Sequence, residues 1–303
     1  MRRRTAIVCA LGAASVPYAW GCRDTNSAPS GPFEQSEPGF YQEVSWSPDG
    51  ASLLVSVLEF TDAAPGYAYR IWKLDPAGAD PAPLTEGPRD YWTSWSPDGA
   101  RIAFAAPADT GALDVFTINA DGTDRRRLTS DEADDTQPAW SPDGRRIAFI
   151  SHRSGIGQLW IMNADGTGAR RLLESPGEAQ NPAWSPDGTR IAFYETGGQG
   201  NDDVFVVQAD GSDPRPLAEG VWPAWTPDGG SVLFGGEGGL YRVAVAGGAP
   251  ELMIAGNVLA GELSPQGTRL AYIVQDSAAV SVVVAGADGR NPRQLMTRPA
   301  PQW

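Results

Sequence analysis

Residues 138–149 read PAWSPDGRRIAF. Pro142 presets φ for the second position of a type I turn, Asp143 suits the third, and Gly144 supplies the positive φ that follows. Trp140 ends a short apolar segment before the turn, and Ile147-Ala148-Phe149 continues apolar after it. The stretch therefore reads as strand, tight turn, strand. Outward from it, Gln158-Leu159-Trp160-Ile161-Met162 offers a third strand. Asn163-Ala164-Asp165-Gly166 then gives a second turn, whose Asp-Gly pair is a hairpin signal, and Arg170-Arg171-Leu172-Leu173 gives a fourth strand.

The unit recurs. Ser47-Pro48-Asp49-Gly50, Ser96-Pro97-Asp98-Gly99, Ser141-Pro142-Asp143-Gly144 and Ser185-Pro186-Asp187-Gly188 are followed by the weaker copies Thr226-Pro227-Asp228-Gly229 and Ser264-Pro265-Gln266-Gly267. Successive prolines lie 49, 45, 44, 41 and 38 residues apart. Trp46, Trp95, Trp140, Trp184 and Trp225 precede the turns, with Leu263 in the last copy. Four antiparallel strands in about 40–45 residues, repeated, is the period of a propeller blade. The sequence predicts an all-β chain, a six-bladed β-propeller with four antiparallel strands per blade, spanning 41–303.

Trp-Ser-Pro-Asp-Gly followed by Ile-Ala-Phe resembles the WD-like repeat of TolB-type β-propellers, over residues 45–297. The resemblance is to the propeller alone, without the α/β domain that precedes it in TolB. It implies an interaction module of the bacterial cell envelope, with an envelope protein or peptide, or a glycan, as partner. The closing segment Arg298-Pro299-Ala300-Pro301-Gln302-Trp303 echoes the entry into a blade. It either clasps the first blade or ends free.

Composition fits this reading. There are 36 Gly and 26 Pro, and 20% of residues are charged, which suits short strands joined by tight turns. The formal net charge is −14. Residues 1–22, MRRRTAIVCALGAASVPYAWGC, place three arginines before a twelve-residue apolar run, the n-region and h-region of an export signal. Removing the segment leaves 20 basic against 37 acidic residues, a charge of −17. Such a surface repels phosphate backbones and excludes nucleic acid as a partner class.

Cys9 lies within the signal, so only Cys22 remains and no intramolecular disulfide is available. Ala19-Trp20-Gly21-Cys22 resembles the lipobox of bacterial lipoproteins, which implies acylation of Cys22. The other reading is ordinary cleavage after Ala19-x-Gly21. Residues 23–40 are polar, rich in Pro, Ser and Gly, and read as a flexible tether. The expected product is a monomer held at the membrane by a lipid anchor.

A catalytic constellation is hard to assemble. The one histidine, His152, sits in a loop segment without a nucleophile elbow. The positions just before the blade Trp are Ser45, Ser94, Ala139, Ala183, Ala224 and Glu262, and one acid among small residues is not a ligand ring. No metal, cofactor or catalytic residue is expected. The alternative is a hydrolase or lyase acting on a peptide or glycan at the channel mouth.

In a four-strand meander the Ser-Pro-Asp-Gly and Asp-Gly turns fall at one end of the blade. The other end carries links that vary in length and chemistry, where binding residues on rigid scaffolds concentrate. That end collects Tyr91, Trp92, Asp134, Asp135, His152, Arg153, Asp202, Asp203 and Trp222. These nine are the expected partner-binding residues, with Cys22 the expected lipidation site.

Overall fold

The computed structural model describes residues 41–60, 67–77, 81–109, 111–196 and 202–299. The signal, the lipobox, the tether and the closing Trp303 lie outside the described residues. Every described element is a strand, and the strands form six four-stranded antiparallel meanders, each contiguous in sequence. We number the blades 1 to 6: residues 41–83, 91–127, 135–171, 178–219, 221–255 and 258–299. Their innermost strands are Tyr41–Trp46, Tyr91–Trp95, Asp135–Trp140, Glu178–Trp184, Val221–Trp225 and Val258–Leu263. Each innermost strand packs beside the next, and the sixth beside the first, which closes the ring around a central channel.

Each sheet is apolar on both faces because each face meets a neighbouring blade. The buried apolar side chains accordingly fall into six clusters, one at each seam between blades. Phe104, Phe149, Phe193 and Phe234, the Phe of the Ile-x-Phe pattern or its equivalent, are fully buried there. Each blade Trp sits at the same place on the seam. The indole N–H of Trp184 donates to the Ala139 carbonyl at 3.1 Å and that of Trp225 to the Ala183 carbonyl at 2.9 Å, and Trp46 reaches Glu262 O at 3.1 Å.

The turns follow their chemistry. The Ser141 hydroxyl donates to Asp143 Oδ1 at 2.6 Å, and the same oxygen accepts Arg145 N at 3.0 Å. These bonds hold the Asp143 carboxyl below its usual range, with equivalent shifts at Asp49, Asp98, Asp187 and Asp228. Gly144 has φ 68°. In the divergent sixth copy, Gln266 replaces the Asp, and its amide donates to the Asp49 carbonyl of blade 1 at 3.1 Å. The departure from the motif is thus a seam contact.

One feature of the innermost strands breaks the regular pattern. Each carries one extra residue against its partner strand, a β-bulge. In blades 2 to 5 the bulge holds a non-glycine residue at positive φ: Trp92 (50°), Gln137 (53°), Asn181 (47°) and Trp222 (50°). Pro138, Pro182 and Pro223 follow directly, and a bulge is where a strand tolerates a residue without an N–H.

Candidate functional site: the channel and its loop-side mouth

The bulges decide what the channel presents. Counting three residues back from the blade Trp, blades 1 to 5 place Glu43, Trp92, Gln137, Asn181 and Trp222 in the bulge, while in blade 6 the bulge falls at Leu259 and Ala260 pairs with Ile273. One residue back stand Ser45, Ser94, Ala139, Ala183, Ala224 and Glu262. The two tryptophans therefore fall on opposite blades of the six, with two amides between them on one side and Glu43 on the other. A bulky side chain held at positive φ costs about 1–3 kcal/mol, a strain that clusters at binding sites.

These side chains also stitch blade to blade. Gln137 Oε1 accepts Asn181 N at 2.7 Å, and Ser94 Oγ accepts Trp140 N at 3.0 Å. Glu43 accepts Thr93 N, and Glu262 Oε2 accepts Trp46 N at 3.2 Å. Burial, and for Glu43 also the charge of Glu262, pushes both carboxyls up to about 8. In the sequence Glu262 stands as a solitary acid beside a blade Leu, and Glu43 carries no local signal.

At the mouth, a polar chain crosses the seam between blades 3 and 4. The buried His152 ring meets Glu178 Oε1 through Nε2 at 3.0 Å and the Asp134 carbonyl through Nδ1 at 3.3 Å. The Gln180 amide donates to the same Glu178 oxygen at 3.1 Å, and Gln137 donates to Gln180 Oε1 at 2.6 Å. Burial opposes the His152 cation, but the hydrogen bond and charge of Glu178 outweigh it, and its pKa rises.

The nine expected binding residues fall into three groups. Tyr91 and Trp92 meet at a tilt, with ring centroids 5.1 Å apart, and Tyr91 meets Tyr69 at 4.6 Å. Tyr91 is 8% exposed and belongs to the core; Trp92 is half-buried against it.

Asp134, Asp135, His152 and Arg153 form the second group, on blade 3. Asp134 Oδ1 accepts Leu113 N at 2.7 Å, and its carbonyl accepts His152 N at 2.9 Å. Arg153 binds Asp131 and the fully buried Asp135, at 2.7 Å for the latter, and lies 4.6 Å above the Trp160 ring. Burial pushes the Asp135 carboxyl up to about 6, against the pull of Ser151 and Arg153. Blade 2 repeats this clip with the buried Asp90, Arg125 at 3.4 Å, and the Phe116 ring 4.7 Å from that guanidinium.

Asp202, Asp203 and Trp222 form the third group, where the links of blades 4 and 5 approach. The Asp202 carbonyl accepts Gly220 N at 2.8 Å, and Trp222 packs edge-on to Tyr194 at 6.4 Å. Burial, then the neighbouring Asp203 charge, raises the Asp202 carboxyl. Among the described residues, no group of three or more His, Cys, Asp or Glu is placed to hold a metal ion.

Residues 89–175 and 167–300 match the TolB beta propeller domain, most of the chain. The chain belongs to the TolB beta-propeller family. This TolB-family propeller is 39% identical over 106 residues to the Tol-Pal system protein TolB of Anaeromyxobacter dehalogenans, across 34% of this chain and 22% of that protein. It therefore spans under a quarter of the length of the curated TolB it matches. An uncharacterized protein of Agrobacterium fabrum is 33% identical over 115 residues, 38% of this chain and 37% of its own. Among solved structures, TolB from Acinetobacter baumannii superposes with a TM-score of 0.66 at 17% identity, over 86% of this chain and 63% of that one. An oligogalacturonate lyase in complex with manganese gives 0.56 at 14% identity, over 82% and 74%. At those identities the two likenesses concern the fold alone.

Proposed function

We propose that this TolB-family propeller is an exported, lipid-anchored binding module of the bacterial cell envelope, and that it engages a protein or peptide at its variable-loop face. The observation that carries the reading is the difference between the two ends of the ring. The hairpin end repeats one Asp-clipped turn in five of six blades, which offers little to distinguish one ligand from another. The loop end opens onto strained aromatics, a polar chain through His152 and Glu178, and acidic links whose chemistry differs from blade to blade. Aromatic anchors beside charged groups at the rim are the composition of an interface. Similarity to proteins of the Tol-Pal system supports an envelope partner.

The test is a two-face comparison, with mature protein used to capture partners from its own envelope extract. Trp92→Ala, Trp222→Ala and Asp203→Ala should weaken capture of the wild-type partner. Asp121→Asn and Asp165→Asn, at the hairpin end, should leave it unchanged. Loss from the hairpin-end changes with silent loop-end alanines would place the interface on the other face. Cys22→Ser should release the protein from the membrane fraction to the soluble exported fraction; an unmodified Cys22 by mass spectrometry would remove the anchor from this reading.

A further inference from the structure

The His152 ring meets an oxygen at each of its two nitrogens. Nε2 lies 3.0 Å from Glu178 Oε1 of blade 4, and Nδ1 lies 3.3 Å from the Asp134 carbonyl at the entry to blade 3. The carbonyl can only accept, and Glu178 Oε1 already accepts the Gln180 amide at 3.1 Å. A neutral imidazole has one N–H and one lone pair, so either tautomer would turn a lone pair on one of these oxygens. The imidazolium, with two N–H groups, satisfies both. His152 is 8% exposed, so water is poorly placed to replace a lost partner.

The repeats supply a comparison. Asp134 and Glu178 each stand six residues before a blade Trp, at Trp140 and Trp184. Asp134 accepts the Leu113 peptide N–H of blade 2 at 2.7 Å, a donor that does not titrate. At the next seam the matching carboxyl takes a histidine instead, and the polar chain runs on from it. Every donor in that chain points toward Glu178: the Asn181 peptide N–H to Gln137, the Gln137 amide to Gln180, and the Gln180 amide to Glu178. Its far end fixes Gln137 and Asn181, two of the bulge residues at positive φ.

The neighbouring charges have partners of their own. Arg153 is held by Asp131 and Asp135, and the Asp134 carboxyl by Leu113 N. Glu195, on the adjoining strand of blade 4, accepts Gly177 N and the Ser175 hydroxyl. Tyr194, paired with Gln180 in register, stays neutral because burial raises its hydroxyl. Among the described residues this leaves Glu178 as the anion set against the ring.

We propose that His152 is an imidazolium latch between blades 3 and 4 at the channel mouth, and that loss of its proton releases this end of the seam. Burial alone would lower the ring's pKa, but the hydrogen bond and charge of Glu178 outweigh it and hold the folded value above the ordinary 6.5. The latch is therefore fully present below 6.5 and is lost as pH rises through the raised value. It lies in the loop face but stands without the binding reading, since its test uses no partner.

His152 is the one histidine of the chain, so tag-free mature protein labelled with ¹⁵N-histidine reports this ring alone. Long-range ¹H–¹⁵N correlation at pH 6.5 should show two protonated nitrogens, with the titration midpoint above that pH. Glu178→Gln keeps an oxygen for the Gln180 amide but removes the charge, and should bring the midpoint below 6.5, where burial acts unopposed. Exchange of the Asn181 peptide N–H, corrected for its intrinsic pH dependence, should be about tenfold faster above the wild-type midpoint than below it. Glu178→Gln should show no such step over the same range. One protonated nitrogen at pH 6.5, or a midpoint that Glu178→Gln leaves unmoved, would overturn the imidazolium. Asn181 exchange indifferent to the titration would overturn the latch. Should Glu178→Gln not fold, the wild-type spectrum and exchange decide both.

Discussion

The Arg146 guanidinium lies 4.7 Å above the Trp184 ring, across the seam between blades 3 and 4. Arg190 sits likewise over Trp225 at 4.8 Å, and Arg269 over Trp46 at 4.6 Å. The position equivalent to these arginines in blade 5 is Ser231, and the residue it would cover in blade 6 is Leu263 rather than Trp. Cation and ring are both absent at that seam, and where Ser52 holds the position in blade 1, Lys73 lies over Trp95 at 5.6 Å. Trp184→Leu should destabilise by about 2 kcal/mol or more. A double-mutant cycle of Arg146→Ser with Trp184→Leu should give a coupling of about 0.5–2 kcal/mol. Additive unfolding free energies would mean that the stacking carries nothing beyond its parts.

The turn glycines face a second constraint besides φ. A side chain at Gly144 would place its Cβ 3.3 Å from Pro97 Cγ of the preceding blade. Gly144→Val should therefore destabilise by about 2–4 kcal/mol, combining strain at positive φ with a seam contact. Asp134→Asn retains the oxygen that caps Leu113 N and should cost less than about 0.5 kcal/mol. Denaturant midpoints that coincide for the two variants would contradict this assignment.

Breaking the Arg153 clip should be costly to the fold. Arg153→Ala leaves the buried Asp135 carboxylate without its cation and should destabilise by about 2–4 kcal/mol. Asp135→Asn in the Arg153→Ala background should recover part of that loss, because the stranded charge is removed. An Arg153→Ala protein as stable as wild type would show that the clip is dispensable. Any binding defect of this variant has to be read beside its melting curve.

The channel acids set a pH dependence with a definite sign. Their folded pKa values, about 8, lie above the ordinary 4.5, so their contribution is present below 4.5 and is lost as pH rises to about 8. The raised His152 and Asp135 add slopes of the same sign. Wild type should lose stability between about pH 5 and pH 9, and Glu43→Gln/Glu262→Gln should flatten that slope by at least about 2 kcal/mol. Urea midpoints at the two pH values decide it; parallel slopes would place the two carboxyls in full contact with water.

The blade count and the hairpin geometry were legible in the sequence because each depends on local turn chemistry. Pro142, Asp143 and Gly144 specify one turn whatever surrounds them. The channel was not legible, since its lining depends on a bulge that shifts the register by one residue. Counting one place back from Trp46 finds Ser45, while the bulge brings Glu43 to the ring as well. The prolines 138, 182 and 223, inside segments otherwise read as strands, were the available signal. Arg153 and Asp135 were legible as charged neighbours on the loop face. Their enclosure over Trp160 depends on the packing of blade 3, which no local pattern encodes.

Every blade is one unbroken run of chain, and among the described residues no strand is exchanged where blade 6 meets blade 1. That last junction is held by Trp46 and Glu262, Gln266 and Asp49, and Arg269 and Gly50, pairs 216 to 219 residues apart. Folding can then proceed as docking between sequence neighbours, followed by a single closing event. Bringing ends so distant together costs on the order of 5 kcal/mol of chain entropy. A whole blade could be gained or lost without interrupting any sheet, so the number six reflects how many wedges fill a circle and not a topological lock.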